Sequence, residues 1–340
     1  MLQAVMTEPG TIEFRDVDKP EIREDQVLVE IKRIGICGSD IHVYHGTHPY
    51  TDYPVVQGHE VAGVIAETGR QVEGLAVGDT VTFTPQVVDG TCYQCRHGDT
   101  HICDSLKVMG FQTEGAAAEY FTVAARKVLT IPESVSIDEA AMIEPTAVAV
   151  HALRRGGDVK GKRVVVLGTG TIGNLVGQVA IASGASGVLN TDISDYKLEK
   201  ARACGLEHGI NTQREDLSEA ILRVFGPDRA DLILECVGAQ ATIDQAIENA
   251  RKGTTIVVVG VFGEKPRVDL GLVQDHELNL AGTLMYQRSD YERAIELVER
   301  GAMHLDEMIT HRFDFRSYPE AYEAIEASNG EYMKVMIALD

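Results

Sequence analysis

The stretch that most limits what this chain can fold into is Val164-Val165-Val166-Leu167, followed without interruption by Gly168-Thr169-Gly170-Thr171-Ile172-Gly173. Four consecutive apolar residues read as a strand covered on both faces, because a strand with one wet face alternates. A helical stretch over 174–183 follows the glycine turn. Val188–Asp192, Leu232–Val237 and Thr255–Gly260 repeat the strand pattern, with helical stretches near 197–204 and 242–250 between them. Strands that alternate with helices predict an α/β, doubly wound parallel sheet of the Rossmann kind.

In that setting the GxGxxG spacing carries chemistry. Gly168 permits a tight turn, Gly170 lets the backbone approach a pyrophosphate, and Gly173 lets the helix pack close to the strand. The helix start at Thr171 and Ile172 offers free N–H groups to phosphate oxygens. Asp192 ends the next strand, where a carboxylate suits both hydroxyls of an adenosine ribose and repels a 2′-phosphate. Neither Ile193 nor Ser194 supplies a basic residue, so the expected cofactor is NAD and not NADP. The bland alternative is a structural glycine turn with an exposed aspartate.

The chain has 340 residues, enough for two cores. Its N-terminal part reads as β-rich, with strands at Val27–Lys32, Val61–Ala66 and Thr80–Thr84, and no periodic helix before about residue 137. A net charge of −21 argues against a nucleic-acid or anionic-membrane partner. The start shows no basic segment followed by an apolar one, and no stretch is apolar enough to span a bilayer. The expected location is the cytoplasm. Thiols stay reduced there, so the clustering of Cys92, Cys95 and Cys103 points to a metal before disulfides.

Two further motifs stand outside the βα region: Cys37-Gly38-Ser39-Asp40-Ile41-His42, and Gly58-His59-Glu60-Val61-Ala62-Gly63 with Gly69 and Val72 behind it. With these the whole chain resembles the zinc-dependent medium-chain dehydrogenases, the superfamily of alcohol, sorbitol and threonine dehydrogenases. Ile143-Glu144-Pro145, with Glu144 seven residues before His151, is similar to the sorbitol branch, where a glutamate replaces a second thiolate ligand. The resemblance implies that Cys37 and His59 bind a catalytic zinc. Glu60 and Glu144 would supply carboxylates, directly or through water, with the choice between them open. Ser39 would take the proton of a substrate hydroxyl and His42 would pass it to solvent. Asp40 would orient a zinc ligand. A catalytic zinc needs about three protein ligands and one open position.

The family usually carries a second, four-cysteine lobe. Here Cys92, Cys95 and Cys103 keep the last three positions and Asp89 stands at the first, so the expected structural zinc site is one carboxylate and three thiolates. Cys204 and Cys236 read as packing residues. The resemblance further implies a GroES-like β-barrel catalytic domain over 1–147 and 285–340, with the Rossmann domain over 148–284 and the active site in the cleft between them. It also implies a homodimer or homotetramer. The expected substrate is a secondary alcohol of a polyol, sugar or sugar acid, with Tyr44, His45, Phe111 and Tyr286 as candidate contacts. Ala117 and Met285 depart from the sorbitol pattern. The alternatives are a threonine-type dehydrogenase and a nucleotide- or sugar-sensing protein without turnover.

Overall fold

The computed structural model describes all 340 residues, which gather into two compact units, Met1–Glu144 with Ile309–Asp340, and Pro145–Met308. In the second unit six strands lie parallel in the order His208–Asn211, Gly187–Asp192, Arg163–Leu167, Leu232–Glu235, Thr255–Val258, Asn279–Gly282. Val164–Leu167 are fully buried at the sheet centre, as an unbroken apolar run requires. Helices Thr171–Ala182, Asp195–Ala203, Leu217–Phe225 and Gln240–Asn249 follow successive strands. Their apolar faces cover the sheet: Ile221, Ile243 and Ile247 pack with Val165, Ile233 and Ile256. Asp216 starts the Leu217–Phe225 helix by accepting the Glu219 N–H at 3.0 Å, a cap worth about 1 kcal/mol. Strand order reverses between Arg163–Leu167 and Leu232–Glu235, and the crevice beyond their carboxyl ends is where such sheets bind ligands.

The first unit is built on a seven-stranded, mainly antiparallel sheet. Its long strand, Gln26–Ile36, pairs with Glu60–Thr68, Tyr120–Ala124 and Lys334–Ala338. The C-terminal segment supplies Lys334–Ala338 and Ile309–Asp314, which run parallel to each other. Val29, Ile31, Ile34, Ile65, Val81 and Phe83 form the core with Tyr322 and Ile325 of the Tyr318–Ala327 helix. No helix of the chain is long and apolar enough to cross a membrane.

Two features differ from the sequence reading. Short helices do occur before residue 137, at Gly38–Tyr44 and Tyr93–Arg96. Neither is long enough to show an apolar period, and the first buries only Asp40 and Val43. The boundaries also move. The chain leaves the first unit at Glu144, inside the Ile143–Arg155 helix, and returns at Ile309 instead of 285. The Arg288–Glu299 helix belongs to the second unit because Asp290 pairs with His151 Nδ1 at 2.8 Å and accepts from Arg154 Nε at 2.9 Å. Tyr291, Ala294 and Leu297 on the same helix are fully buried.

Candidate active site and metal centres

The structure brings Cys37, His59 and Glu60 together, one ligand atom from each lying within 4.8 Å of the others. Cys37 follows the last residue of the long strand and caps the Gly38–Tyr44 helix; Glu60 opens the neighbouring strand and His59 immediately precedes it. His59 and Glu60 are buried, 5% and 1% exposed, and Cys37 is half-buried. Burial by itself would push the His59 imidazole toward neutrality. The Asp40 carboxylate outweighs it, helped by Cys37 and Glu144, and holds His59 well above its usual range. Asp40 Oδ1 lies 3.6 Å from His59 Nδ1, and that nitrogen has no hydrogen-bond partner although it is fully buried. A carboxylate facing one nitrogen of a histidine is the arrangement that turns the other toward a metal. Thiol, imidazole and carboxylate together are the donor set of a zinc site.

Glu60 is committed in a second direction. Its Oε2 accepts from Lys334 Nζ at 2.5 Å, and Lys334, only 2% exposed, also donates to the Ile36 carbonyl at 3.1 Å. Two charges buried this deeply are tolerable only as a pair, and removing one partner costs roughly 3–5 kcal/mol. Glu144 sits in the first turn of the Ile143–Arg155 helix, 5% exposed, outside the tight group but near enough to act on both His59 and Lys334.

Ser39 and His42 are three apart on the Gly38–Tyr44 helix and so share a face. Ser39 is half-buried, and His42 is exposed with Nδ1 3.5 Å from Thr47 Oγ1. Among the candidate substrate contacts, Phe111 stands at the cluster, its ring 4.9 Å from that of His59. Tyr44 is stacked on Tyr322 at 4.8 Å and His45 pairs with Glu326 at 2.7 Å, so both are engaged by the C-terminal helix. Tyr286, the fourth candidate, is 1% exposed and packs edge-on to Tyr291.

Asp89, Cys92, Cys95 and Cys103 also converge, in a loop closed at its base by the short strands Gln86–Val87 and Lys107–Val108. Asp89 Oδ1 accepts the Thr91 and Cys92 N–H groups at 2.6 and 2.8 Å, which leaves Oδ2 facing the thiols, 3.3 Å from Cys103 Sγ. Those backbone donors, the Cys92 N–H above all, hold the Asp89 carboxyl well below the usual carboxylate range. Cys92 Sγ accepts the Cys95 N–H at 3.4 Å, and this bond lowers the Cys92 thiol. Desolvation and the neighbouring thiols push Cys95 up to about 12. A divalent cation would reverse that effect by binding the thiolate. Cys204 caps its helix and is buried, as its packing role required.

In the second unit Gly168 has φ +87°, and a Cβ on Gly173 would lie 1.8 Å from the Gly168 carbonyl oxygen, so turn geometry and packing demand both. Gly170 is different. Its φ is −66° and a Cβ there would meet nothing within 4 Å. Neither strain nor packing explains this glycine, which leaves the helix start open on that side. Asp192 Oδ2 accepts the Thr169 N–H at 2.8 Å and Oδ1 accepts from Ile193 and Ser194 at 2.8 and 2.9 Å. The carboxylate therefore braces the glycine turn, and Oδ2, which accepts one N–H, keeps a lone pair.

Residues 23–133 match the family model described as the alcohol dehydrogenase GroES-like domain, and residues 171–300 match the model described as zinc-binding dehydrogenase. A D-xylulose reductase of Saccharomyces cerevisiae is 35% identical over 328 residues, covering 94% of this chain and 92% of that protein. The chain belongs to the zinc-dependent medium-chain dehydrogenases. An L-threonine 3-dehydrogenase of Pyrococcus horikoshii is 32% identical to the dehydrogenase, over 100% of this chain and 99% of the relative. Among solved structures, galactitol-1-phosphate dehydrogenase from Escherichia coli superposes with a TM-score of 0.92 at 30% identity, covering 100% of each chain.

Four residues of the dehydrogenase beside the buried cluster escaped the sequence reading. Lys334 and Tyr322 come from segments with no motif of their own, and Gln57 lies one residue before the Gly58–Gly63 motif. His48 could have been found, since His42, His45 and His48 recur at helical spacing. Its ring stacks on Phe111 at 4.8 Å and its Nδ1 is 2.7 Å from Thr51 Oγ1. Burial, with His42 and His59 nearby, pushes it toward the neutral form.

Proposed function

We propose that this dehydrogenase oxidises a secondary hydroxyl of a polyol, sugar or sugar acid, with a catalytic zinc held by Cys37, His59 and a carboxylate of Glu60 or Glu144, and with NAD as hydride acceptor. The observation that carries the reading is the buried Cys37–His59–Glu60 group with its unpartnered His59 Nδ1 facing Asp40. When bound, zinc supplies Lewis acidity that eases loss of a hydroxyl proton, and NAD supplies the acceptor for the carbon-bound hydrogen. Ser39 takes the proton, and His42, on the same helix face and open to solvent, carries it away. Asp40 keeps His59 in one orientation. Lys334 balances the Glu60 charge so that the site is not overloaded with carboxylates. In the second unit, N–H groups of the Thr171–Ala182 helix start receive the pyrophosphate, and Asp192 receives the ribose hydroxyls. Asp89, Cys92, Cys95 and Cys103 hold a structural zinc.

The D-xylulose reductase and galactitol-1-phosphate dehydrogenase relatives support the polyol class; the threonine dehydrogenase relative supports an amino alcohol as the second reading. A homodimer or homotetramer fits the outer edge strand Asn279–Gly282, which has no partner on one side, with Leu280 on it 39% exposed and Leu284, two residues past its end, 52% exposed. Six free cysteines suit the cytoplasm.

The test is NADH formation by zinc-loaded protein on polyols, aldonates, sugar phosphates and threonine, with NAD and NADP side by side. A strong NAD-dependent signal on a polyol, sugar or sugar acid supports the reading. A signal on threonine alone replaces it with the second. Silence with zinc and NADH both bound favours a sensor. Asp192→Ala is expected to raise KM for NAD about tenfold and to narrow the preference over NADP, read from steady-state kinetics.

A further inference from the structure

Gln57 and Tyr322 form a buried polar pair that the proposed chemistry does not use. Gln57 is 2% exposed and Tyr322 0%. A carboxamide and a phenol taken out of water cost free energy unless both are satisfied, and two apolar side chains of similar shape would fill this space without that cost. Their bonds run in one direction. The Tyr322 hydroxyl donates to Gln57 Oε1 at 2.6 Å, and Gln57 Nε2 donates to the Asp40 carbonyl at 3.3 Å and to Asp40 Oδ1 at 3.2 Å. The Asp40 carbonyl can only accept, so the amide has a single orientation. Oδ1, the oxygen that takes the Gln57 N–H, is also the one facing His59 Nδ1. Oδ2 accepts the Cys37 N–H at 2.8 Å. Tyr322 is itself fixed, its ring between Tyr44 at 4.8 Å and Tyr318 at 5.8 Å. A row of side chains thus leads from the Tyr318–Ala327 helix to a candidate zinc ligand 263 positions back in the chain, between Tyr322 and His59.

We propose that Gln57 and Tyr322 are positioning residues for the catalytic metal: they hold the Asp40 carboxylate in the rotamer that faces His59 Nδ1, leave Nε2 for zinc, and so raise the site's zinc affinity. The inference rests on the reading of Cys37 and His59 as zinc ligands. It assigns the C-terminal helix a function beyond packing. It also predicts that the two residues act as one unit, since the hydrogen bonds from Tyr322 lead to Asp40 by way of Gln57.

The test compares the full-length protein with Tyr322→Phe, Gln57→Leu, the double variant and Cys37→Ser. Zinc is counted per chain, its affinity is measured by chelator competition, and the visible bands of the cobalt-substituted protein are recorded. The Gln57 backbone is held independently, its carbonyl accepting the Ala117 N–H at 2.9 Å, so loss of the side chain leaves that strand entry in place. Each single variant is expected to weaken the buried zinc about tenfold and to alter the cobalt bands, with NADH affinity unchanged. The double variant is expected to be no weaker than the worse single one. Unchanged zinc affinity and cobalt bands in both singles overturn the proposal, as does a double variant whose loss is the product of the two. If Cys37→Ser keeps all its zinc, the metal-site reading itself fails. If Cys37→Ser loses one zinc while the other variants match the parent, only this inference does.

Discussion

The Cys37–His59–Glu60 group and the Asp89–Cys92–Cys95–Cys103 group lie in the same unit, yet the first is buried among charged partners and the second stands in an open loop. In the buried group every donor is controlled by another side chain or by the backbone: His59 by Asp40, Glu60 by Lys334, and Cys37 by the helix it opens. Its donors come from two paired strands and a helix start, so their spacing is set by the sheet. In the lobe the donors come from one short loop and are organised by N–H groups of that loop. The difference teaches what each site is suited to. Mixed donors on a rigid, buried frame suit a metal that must keep its geometry while one position opens to substrate. Three thiols and a carboxylate in a loop suit a closed site whose ordering is the loop's own stability.

The strongest way to break this contrast is Cys37→Ser. It is expected to lower kcat at least about a thousandfold while the lobe keeps its metal and NADH still binds, measured by turnover, metal content and fluorescence titration. Normal turnover would remove the buried group from catalysis. Next, Cys103→Ala is expected to release the lobe metal and lower the thermal midpoint by a few degrees, with the buried metal retained; loss of both metals together would show that the two groups are not independent. A smaller effect sharpens the role of the odd donor. Asp89→Cys is expected to strengthen lobe zinc binding about tenfold, since thiolate is the softer ligand, and to leave kcat as it was.

The smallest effect concerns the base of the lobe. Lys127 donates to the Gln86 carbonyl at 2.7 Å, and burial, with Arg126 beside it, lowers its ammonium from 10.5 to about 8. A base lowered by folding releases its proton first in the folded protein. Between these two values the unfolded chain binds more protons, so stability rises with pH across that window. Lys127→Met is expected to flatten that rise, seen as denaturant midpoints compared at either end of the window; an unchanged slope would mean that Lys127 is not the group responsible.

The parts of the molecule legible in the sequence were those written in neighbouring residues. The apolar run at Val164–Leu167, the glycine spacing behind it and Asp192 at the next strand end state a parallel sheet and a dinucleotide site. This works because strand burial, turn geometry and helix start are decided within one or two turns of chain. Motif spacing likewise singled out Cys37, His59 and the lobe cysteines. The Gly38–Tyr44 helix was not legible, being too short for a period to show.

Tertiary structure decided the rest, and sheet register is the physical reason. Gly35 lies opposite Glu60 on one side of the long strand, and Val335 pairs with Ile36 on the other, so Lys334 arrives beside the Glu60 carboxylate. Gly35 leaves the space between them: a Cβ there would lie 2.2 Å from Glu60 Oε2. No local pattern relates residue 334 to residue 60, or Tyr322 to Gln57. The sequence by itself determined which kinds of side chain could hold a zinc and a dinucleotide. Only the packing of strands and helices decided which partners hold those side chains in place.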